Sequence, residues 1–171
     1  EIQVFRLAQI DAVRDRLGQL IRHLLGTEDW SVELHPGWPL QEGLLETLNH
    51  RLPRDRQLGM TQDGPQRAEL RLRLYQRQTK TLISRGQQKQ MIAALLVSQC
   101  ELVHRQTGRA PILLVDDFAA ELGEEYQQRL LEVLQSYPGQ VFISSFERSG
   151  PLRQVRDCAV FHVEHGAVTE C

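Results

Sequence analysis

No run in this sequence approaches the about 20 consecutive apolar residues that a membrane-spanning helix requires. Apolar stretches such as residues 93–97 and 110–115 are core-sized. No basic segment followed by an apolar one opens the chain, so no secretory leader is expected. Cysteine is scarce: Cys100, Cys158 and Cys171 are odd in number and form no Cys-x-x-Cys pair. That excludes a disulfide framework and predicts a reducing, cytoplasmic setting. Cys100 and Cys158 are expected as small core residues and Cys171 as a tail residue. Lysine is scarcer still, with only Lys80 and Lys89. Neither follows a glycine-rich loop, and no Gly-x-x-x-x-Gly-Lys-Ser/Thr stretch exists. The chain on its own therefore lacks the backbone cradle with which such a loop holds nucleotide phosphates.

What is present is ordinary in amount and uneven in placement. The 171 residues are 41% hydrophobic and 25% charged, enough for one core or one core with an extension. The residues after Glu1 read like the interior of a helix, so the chain is expected to be a fragment whose native start lies upstream. The net charge of −2 conceals an asymmetry. Residues 51–89 hold ten basic and three acidic residues, a net +7, whereas the remainder holds ten basic and nineteen acidic. A local excess of that size attracts phosphates, and it also suits a solvated face paired with acids elsewhere.

Apolar residues at three- and four-residue steps (Val4, Leu7, Ile10, Val13, Leu17, Leu20, Ile21, Leu24) predict a helix over residues 3–25, with Gly26 as its cap. Residues 30–35 alternate like a strand. Leu44, Leu45, Leu48 and Leu52 suggest one face of a helix over 40–52 that Pro53 ends. Residues 68–74 alternate leucine with Glu69, Arg71 and Arg73, the pattern of a half-exposed strand with its basic face outward. A helix over 84–104 follows, then an unbroken apolar run at 112–115. Such a run predicts a strand buried on both faces of a parallel sheet. A helix over 123–136 (Tyr126, Leu130, Val133 and Leu134 on one side), a second buried strand at 140–144, a short helix near 151–155 and a hairpin turning at Gly166 complete the chain. The alternation from residue 84 onward is that of an α/β layer.

Two segments carry chemistry. Ile83-Ser84-Arg85-Gly86-Gln87-Gln88-Lys89 opens a helix. A helix N-terminus offers unpaired backbone N–H groups and partial positive charge, which suits phosphate. The same spacing, Ser84 with Gln87 three residues on, is equally a capping box. Asp116 and Asp117 end the apolar strand, where ligands of open α/β sheets bind. Adjacent carboxylates repel unless a cation or hydrogen bonds offset them, and a water-bound Mg²⁺ is one solution. A simple turn cap at Asp117 is the other. His162, Glu164 and His165 fit a surface hairpin better than a metal pair, and Trp30 and Trp38 fit packing better than base stacking.

The order of these segments is more specific than either alone. Ser-Arg-Gly-Gln-Gln-Lys at 84–89, the strand ending in Asp116-Asp117, and Phe-Ala-Ala-Glu-Leu at 118–122 resemble the ABC-type ATPase head. Arg85 in the third signature place, the trailing Lys89, the Asp-Asp pair and Gly64-Pro65-Gln66-Arg67 resemble the RecF-type DNA-repair ATPases in particular. The match runs from about Thr61 to the end. The resemblance implies the C-terminal lobe of an ABC-type P-loop head over 61–171 and a preceding helical arm segment over 1–60. It implies that Ser84, Gly86 and Gln87 meet the γ-phosphate of ATP held by a second subunit, with Arg85 counted in the same ATP-binding segment. It further implies that Asp116 positions Mg²⁺ through water, that Asp117 acts as general base, and that residues 119–122 cross a dimer interface. The parent protein would be a slow DNA-dependent ATPase that dimerises on DNA with ATP at gap junctions. Its implied partners are RecO and RecR, and the isolated fragment would be inactive. The chain departs from the family pattern at Gly123, Ala120 and Gln66, and Ser145 stands near the place of a switch histidine. Another ABC-type or SMC-like head, or an interaction module that has lost ATP use, are the alternative readings. The latter would go with a parent protein lacking the phosphate loop.

Overall fold

The structure, a computed structural model, describes residues 2–75, 77–78, 83–120 and 122–171, with the backbone alone at Arg77 and Gln78. Lys80 of the basic stretch and Glu121 of the expected interface loop lie outside the described residues. The chain divides into two compact units, Glu1–Pro111 and Ile112–Cys171. The expected arm-to-head boundary between residues 60 and 61 falls inside the first of them.

In the first unit, helix α1 (Ile2–Leu25) forms where the apolar periodicity places it, and Gly26 ends it at φ +68°. Only its second half is buried: Val13, Leu17, Leu20, Ile21 and Leu24 are inside, while Val4 and Leu7 are exposed. Strand β1 (Trp30–His35) pairs antiparallel with β2 (Glu69–Leu74), with Val32 opposite Leu72 and Leu34 opposite Leu70. A short β3 (Arg77–Gln78) adds to the other edge of β2. Gly37, at φ +92°, lies so close to Gly64 and Arg67 that an added Cβ would fall 2.3 Å from the Gly64 carbonyl oxygen. Its own carbonyl accepts the Gly64 N–H at 2.9 Å. That contact seats the Gly64-Pro65 turn at the start of β2.

Helix α2 (Leu44–Leu58) departs from expectation at both ends. It starts after Gly43, whose φ of +76° is not helical, and it runs through Pro53. The proline deletes one backbone hydrogen bond, at a cost of about 3 kcal/mol in a helix interior. Ties beyond it hold the last turns nonetheless. Gly59 caps the helix in the left-handed region, the Asp55 carboxylate accepts from the Gln62 N–H at 3.2 Å, and Arg51 pairs with Asp63 at 3.0 Å. The leucine face is not the buried one either: Thr47 is fully buried, its hydroxyl donating to Gly43 at 2.8 Å, while Leu45 is 75% exposed.

Helix α3 (Arg85–Thr107) packs against α1. Arg16 of α1 clamps Glu101 of α3 through two N–H groups, at 2.6 and 2.8 Å. The hydrogen bond to Glu101 holds the guanidinium's pKa above its ordinary value, against the opposing effect of burial. The basic face of β2 is partly neutralised, with Arg71 beside Glu69 and Arg73 beside Glu33.

In the second unit, β4 (Leu113–Val115) and β5 (Val141–Ile143) pair in parallel, as the apolar runs predict. Burial on both faces does not hold. Leu113, Val115, Val141 and Ile143 are half-buried, but Leu114 is 77% and Phe142 49% exposed, opposite one another on the other face. Helix α4 (Glu124–Gln135) buries Leu130, Leu131, Val133 and Leu134. Tyr126, expected on that apolar side, is partly exposed with the Arg129 guanidinium over its ring. A 3-10 turn (Gly150–Gln154) packs against α4, and β6 (Phe161–Glu164) and β7 (Ala167–Glu170) form a hairpin turning at His165-Gly166, both at positive φ. Cys158 is exposed rather than a core residue, and Cys100 is half-buried. Among the described residues no helix is long and apolar enough to cross a membrane.

Candidate functional site

The signature segment lies in the first unit, at the start of α3. Ser84 has extended backbone dihedrals, and its Oγ accepts the Gln87 N–H at 3.2 Å while Gln87 Oε1 accepts the Ser84 N–H at 3.0 Å. The capping box is thus formed, and it does not compete with an anion-binding role. A hydroxyl that accepts one bond keeps a proton to donate. Ser84 and Arg85 are exposed and Gly86 is half-buried, so a phosphate can reach the first turn. The helix carries a positive partial charge there. Lys89 lies one turn further on and is half-buried.

The acidic pair lies in the second unit, at the carboxyl end of β4. Both Asp116 and Asp117 are exposed. Asp117 adopts φ +52°, an uncommon conformation for a residue other than glycine. One residue of the neighbouring strand end organises this turn. The Ser144 N–H donates to the Val115 carbonyl at 2.9 Å, and the Ser144 carbonyl accepts the Phe118 N–H at 3.0 Å. The Ser144 hydroxyl accepts the Asp117 N–H at 2.9 Å and donates to Asp116 Oδ1. Phe118 anchors the turn by burial. Downstream, Gln127 of α4 donates to the carbonyls of Leu122 at 2.8 Å and Ala119 at 3.4 Å, holding the loop that the resemblance assigns to an interface.

The described residues contain no cluster of three or more His, Cys, Asp or Glu able to hold a metal. Mg²⁺ does not need one, because it is commonly bound through one or two carboxylates, its own waters and substrate phosphates. An exposed Asp116 with one oxygen tied to Ser144 and the other uncommitted to that bond fits such a water-mediated contact. His162 and His165 both lie beside Glu164 on the exposed hairpin, at 3.5 and 3.8 Å. Ser145, near the expected switch position, donates to the Glu147 carbonyl at 2.8 Å.

Ser144 and Gln127 are residues to which the sequence reading gave no role. The available signal was Ser144 at the end of the strand following the acidic one, where adjacent parallel strands bring their carboxyl ends together.

No family model matches the chain. The DNA replication and repair protein RecF of Pseudomonas aeruginosa (strain LESB58) is 36% identical over 174 aligned positions, covering 99% of the chain and 47% of that protein. RecF of Chromohalobacter salexigens is 42% identical over 149 positions, covering 85% of the chain and 41% of the relative. The chain thus spans somewhat under half the length of the curated relatives it matches. A solved structure of the recombination mediator protein RecF with ATP, in the RecFOR pathway, superposes with a TM-score of 0.68 at 20% identity, over 99% of the chain and 46% of that structure. Sequence relationship along nearly the whole chain, and the same fold in a solved RecF, agree with the order of helix α3, the acidic strand β4 and the loop after it: the chain belongs to the RecF family and shares its fold.

Proposed function

We propose that this chain is the signature-bearing part of a DNA-repair ATPase of the RecF kind. In this reading the intact parent protein binds DNA at junctions of single and double strand, dimerises there with ATP and Mg²⁺, and assists recombinase loading with RecO and RecR. Ser84, Arg85, Gly86 and Gln87 present the first turn of α3 to the γ-phosphate of ATP bound by the second subunit. Asp116 orients Mg²⁺ through water, and Asp117 takes the proton of the attacking water. Mg²⁺ supplies charge neutralisation on the phosphates, and the protein supplies position. Residues 1–60 serve as the arm and 61–171 as part of the head, although β1 and β2 join the two in one sheet. The chain alone lacks the phosphate loop, so hydrolysis belongs to the parent.

The observation that carries this reading is the acidic pair held at the carboxyl end of a parallel strand, in a chain related to RecF over nearly its full length. Ser84→Arg in the parent protein tests it. The substitution puts a bulky cation where the partner's nucleotide would sit and leaves the first subunit's own nucleotide contacts alone. Light scattering should show ATP-dependent dimerisation abolished, with ATP binding to the monomer retained. A variant that dimerises with ATP as the wild type does removes the signature assignment.

A further inference from the structure

Ser144 makes four hydrogen bonds, one to each residue of the four-residue stretch 115–118 that carries the acidic pair. Its two backbone bonds, to Val115 and from Phe118, are available to any residue at this position. Its two hydroxyl bonds are not. A serine hydroxyl has one proton and two lone pairs. Here the proton goes to Asp116 Oδ1 and one lone pair receives the Asp117 N–H at 2.9 Å. Both aspartates are exposed, and no other side-chain donor within the described residues bonds the Asp116 carboxylate. Asp117 holds a left-handed backbone, a conformation that persists only where its surroundings determine it. Its amide bond to the Ser144 hydroxyl is one such determinant.

We propose that Ser144 is a positioning residue for hydrolysis: through a single hydroxyl it sets the rotamer of the Mg²⁺-directed Asp116 and the backbone pose of Asp117. This rests on reading Asp116 and Asp117 as the hydrolytic pair. Ser144 touches neither nucleotide nor metal. It fixes which Asp116 oxygen is left to face a water-bound cation, and it fixes where the Asp117 carboxylate points. Removing a group that orients a metal-directed carboxylate typically weakens metal affinity or activity about 10–100-fold.

The test compares Ser144→Ala and Ser144→Thr in the full-length protein. Without nucleotide, hydrogen exchange resolved to single amides should show Asp117 exchanging at least about tenfold faster in S144A. The Phe118 amide, bonded to the residue-144 carbonyl, should keep its wild-type protection, and S144T should match the wild type at both. In ATP hydrolysis, the Mg²⁺ concentration for half-maximal rate should rise on the order of tenfold in S144A and return to near wild type in S144T. If S144A does not fold, Ser144→Val against Ser144→Thr makes the same comparison between two side chains of equal shape, one lacking the hydroxyl. Unchanged Mg²⁺ dependence in the hydroxyl-free variant overturns the proposal, even if Asp117 exchanges faster, because the role is then structural only. Unchanged exchange at Asp117 overturns it as well. A wild-type protein that hydrolyses no ATP with Mg²⁺ overturns the reading of the acidic pair, and this proposal with it.

Discussion

Asp117 and Gly37 both sit at positive φ, for different physical reasons. At Gly37 the constraint is space: backbone atoms of Gly64, Arg67 and Ala68 occupy the volume a Cβ would need. Nothing flexible can move aside, so Gly37→Ala should lower the unfolding free energy by at least about 2 kcal/mol in denaturant titration, combining left-handed strain with a backbone clash. A loss below about 0.5 kcal/mol would mean that the Gly37–Gly64 contact is not formed in solution. At Asp117 the side chain is exposed, and hydrogen bonds hold the backbone: its N–H donates to the Ser144 hydroxyl and its carbonyl accepts the Ala120 N–H. If its carboxylate is the general base, Asp117→Asn in the parent protein should slow ATP hydrolysis by about 10²–10⁴-fold while ATP-dependent dimers still form. Wild-type turnover in that variant would leave Asp117 as a turn residue. The capping box at Ser84 was legible from the three-residue spacing to Gln87, because both partners lie in one helical turn. The Ser144 hydroxyl was not, because its partners lie 27 and 28 residues away and meet it only through strand pairing.

Among the elements, those defined by a clear period were read well. The β1–β2 pair follows from alternation in both segments, and α1 from its three- and four-residue steps. The misreadings fall where tertiary contacts outweigh a local rule. Pro53 does not stop α2, because Gly59, Asp55 and the Arg51–Asp63 pair tie the turns after it. The leucines of α2 suggested the wrong buried face, since Thr47 satisfies its hydroxyl inside the helix and can be buried at little cost. An apolar run cannot say whether one or both faces of its strand are covered, which is why Leu114 and Phe142 came as a correction. The α1–α3 packing offers a measurable case. Arg16 and Glu101 are half-buried and joined by two charge-assisted bonds. Arg16→Met should lower the unfolding free energy by about 1–3 kcal/mol, chiefly by leaving Glu101 without its donor. The pair raises the arginine's pKa in the folded state. Its contribution is therefore complete below the unfolded-state value and lost only as pH climbs through the still higher folded value. From the arginine's side, the penalty of the substitution should stay flat between pH 7 and about pH 10 in urea titrations. A penalty that disappears across that range would contradict the assignment.

For the molecule as a whole, charge distribution says more than net charge. A chain of net −2 is no obvious ligand for nucleic acid, yet residues 51–89 concentrate +7. The structure sorts these cations by what lies near them. Arg51, Arg71 and Arg73 face Asp63, Glu69 and Glu33 within 3.5 Å, and their charge is partly spent inside the fold. Arg54 and Arg56 are exposed on the stretch of α2 that follows Pro53. If the parent protein binds DNA through this region, these two arginines should contribute as phosphate contacts, which position the protein without reading sequence. Each phosphate neutralised contributes about 0.9 to the slope of log affinity against log salt on duplex DNA. The double variant Arg54→Ala/Arg56→Ala should then weaken binding to duplexes of any sequence alike and flatten that slope by about 1.8, twice the single-contact value. Arg71→Ala, which removes a cation already beside Glu69, should change the slope less. Fluorescence anisotropy at several salt concentrations distinguishes the cases. An unchanged slope in the double variant would move the DNA surface away from α2, and a change confined to one DNA sequence would mean base readout rather than the field of the basic stretch.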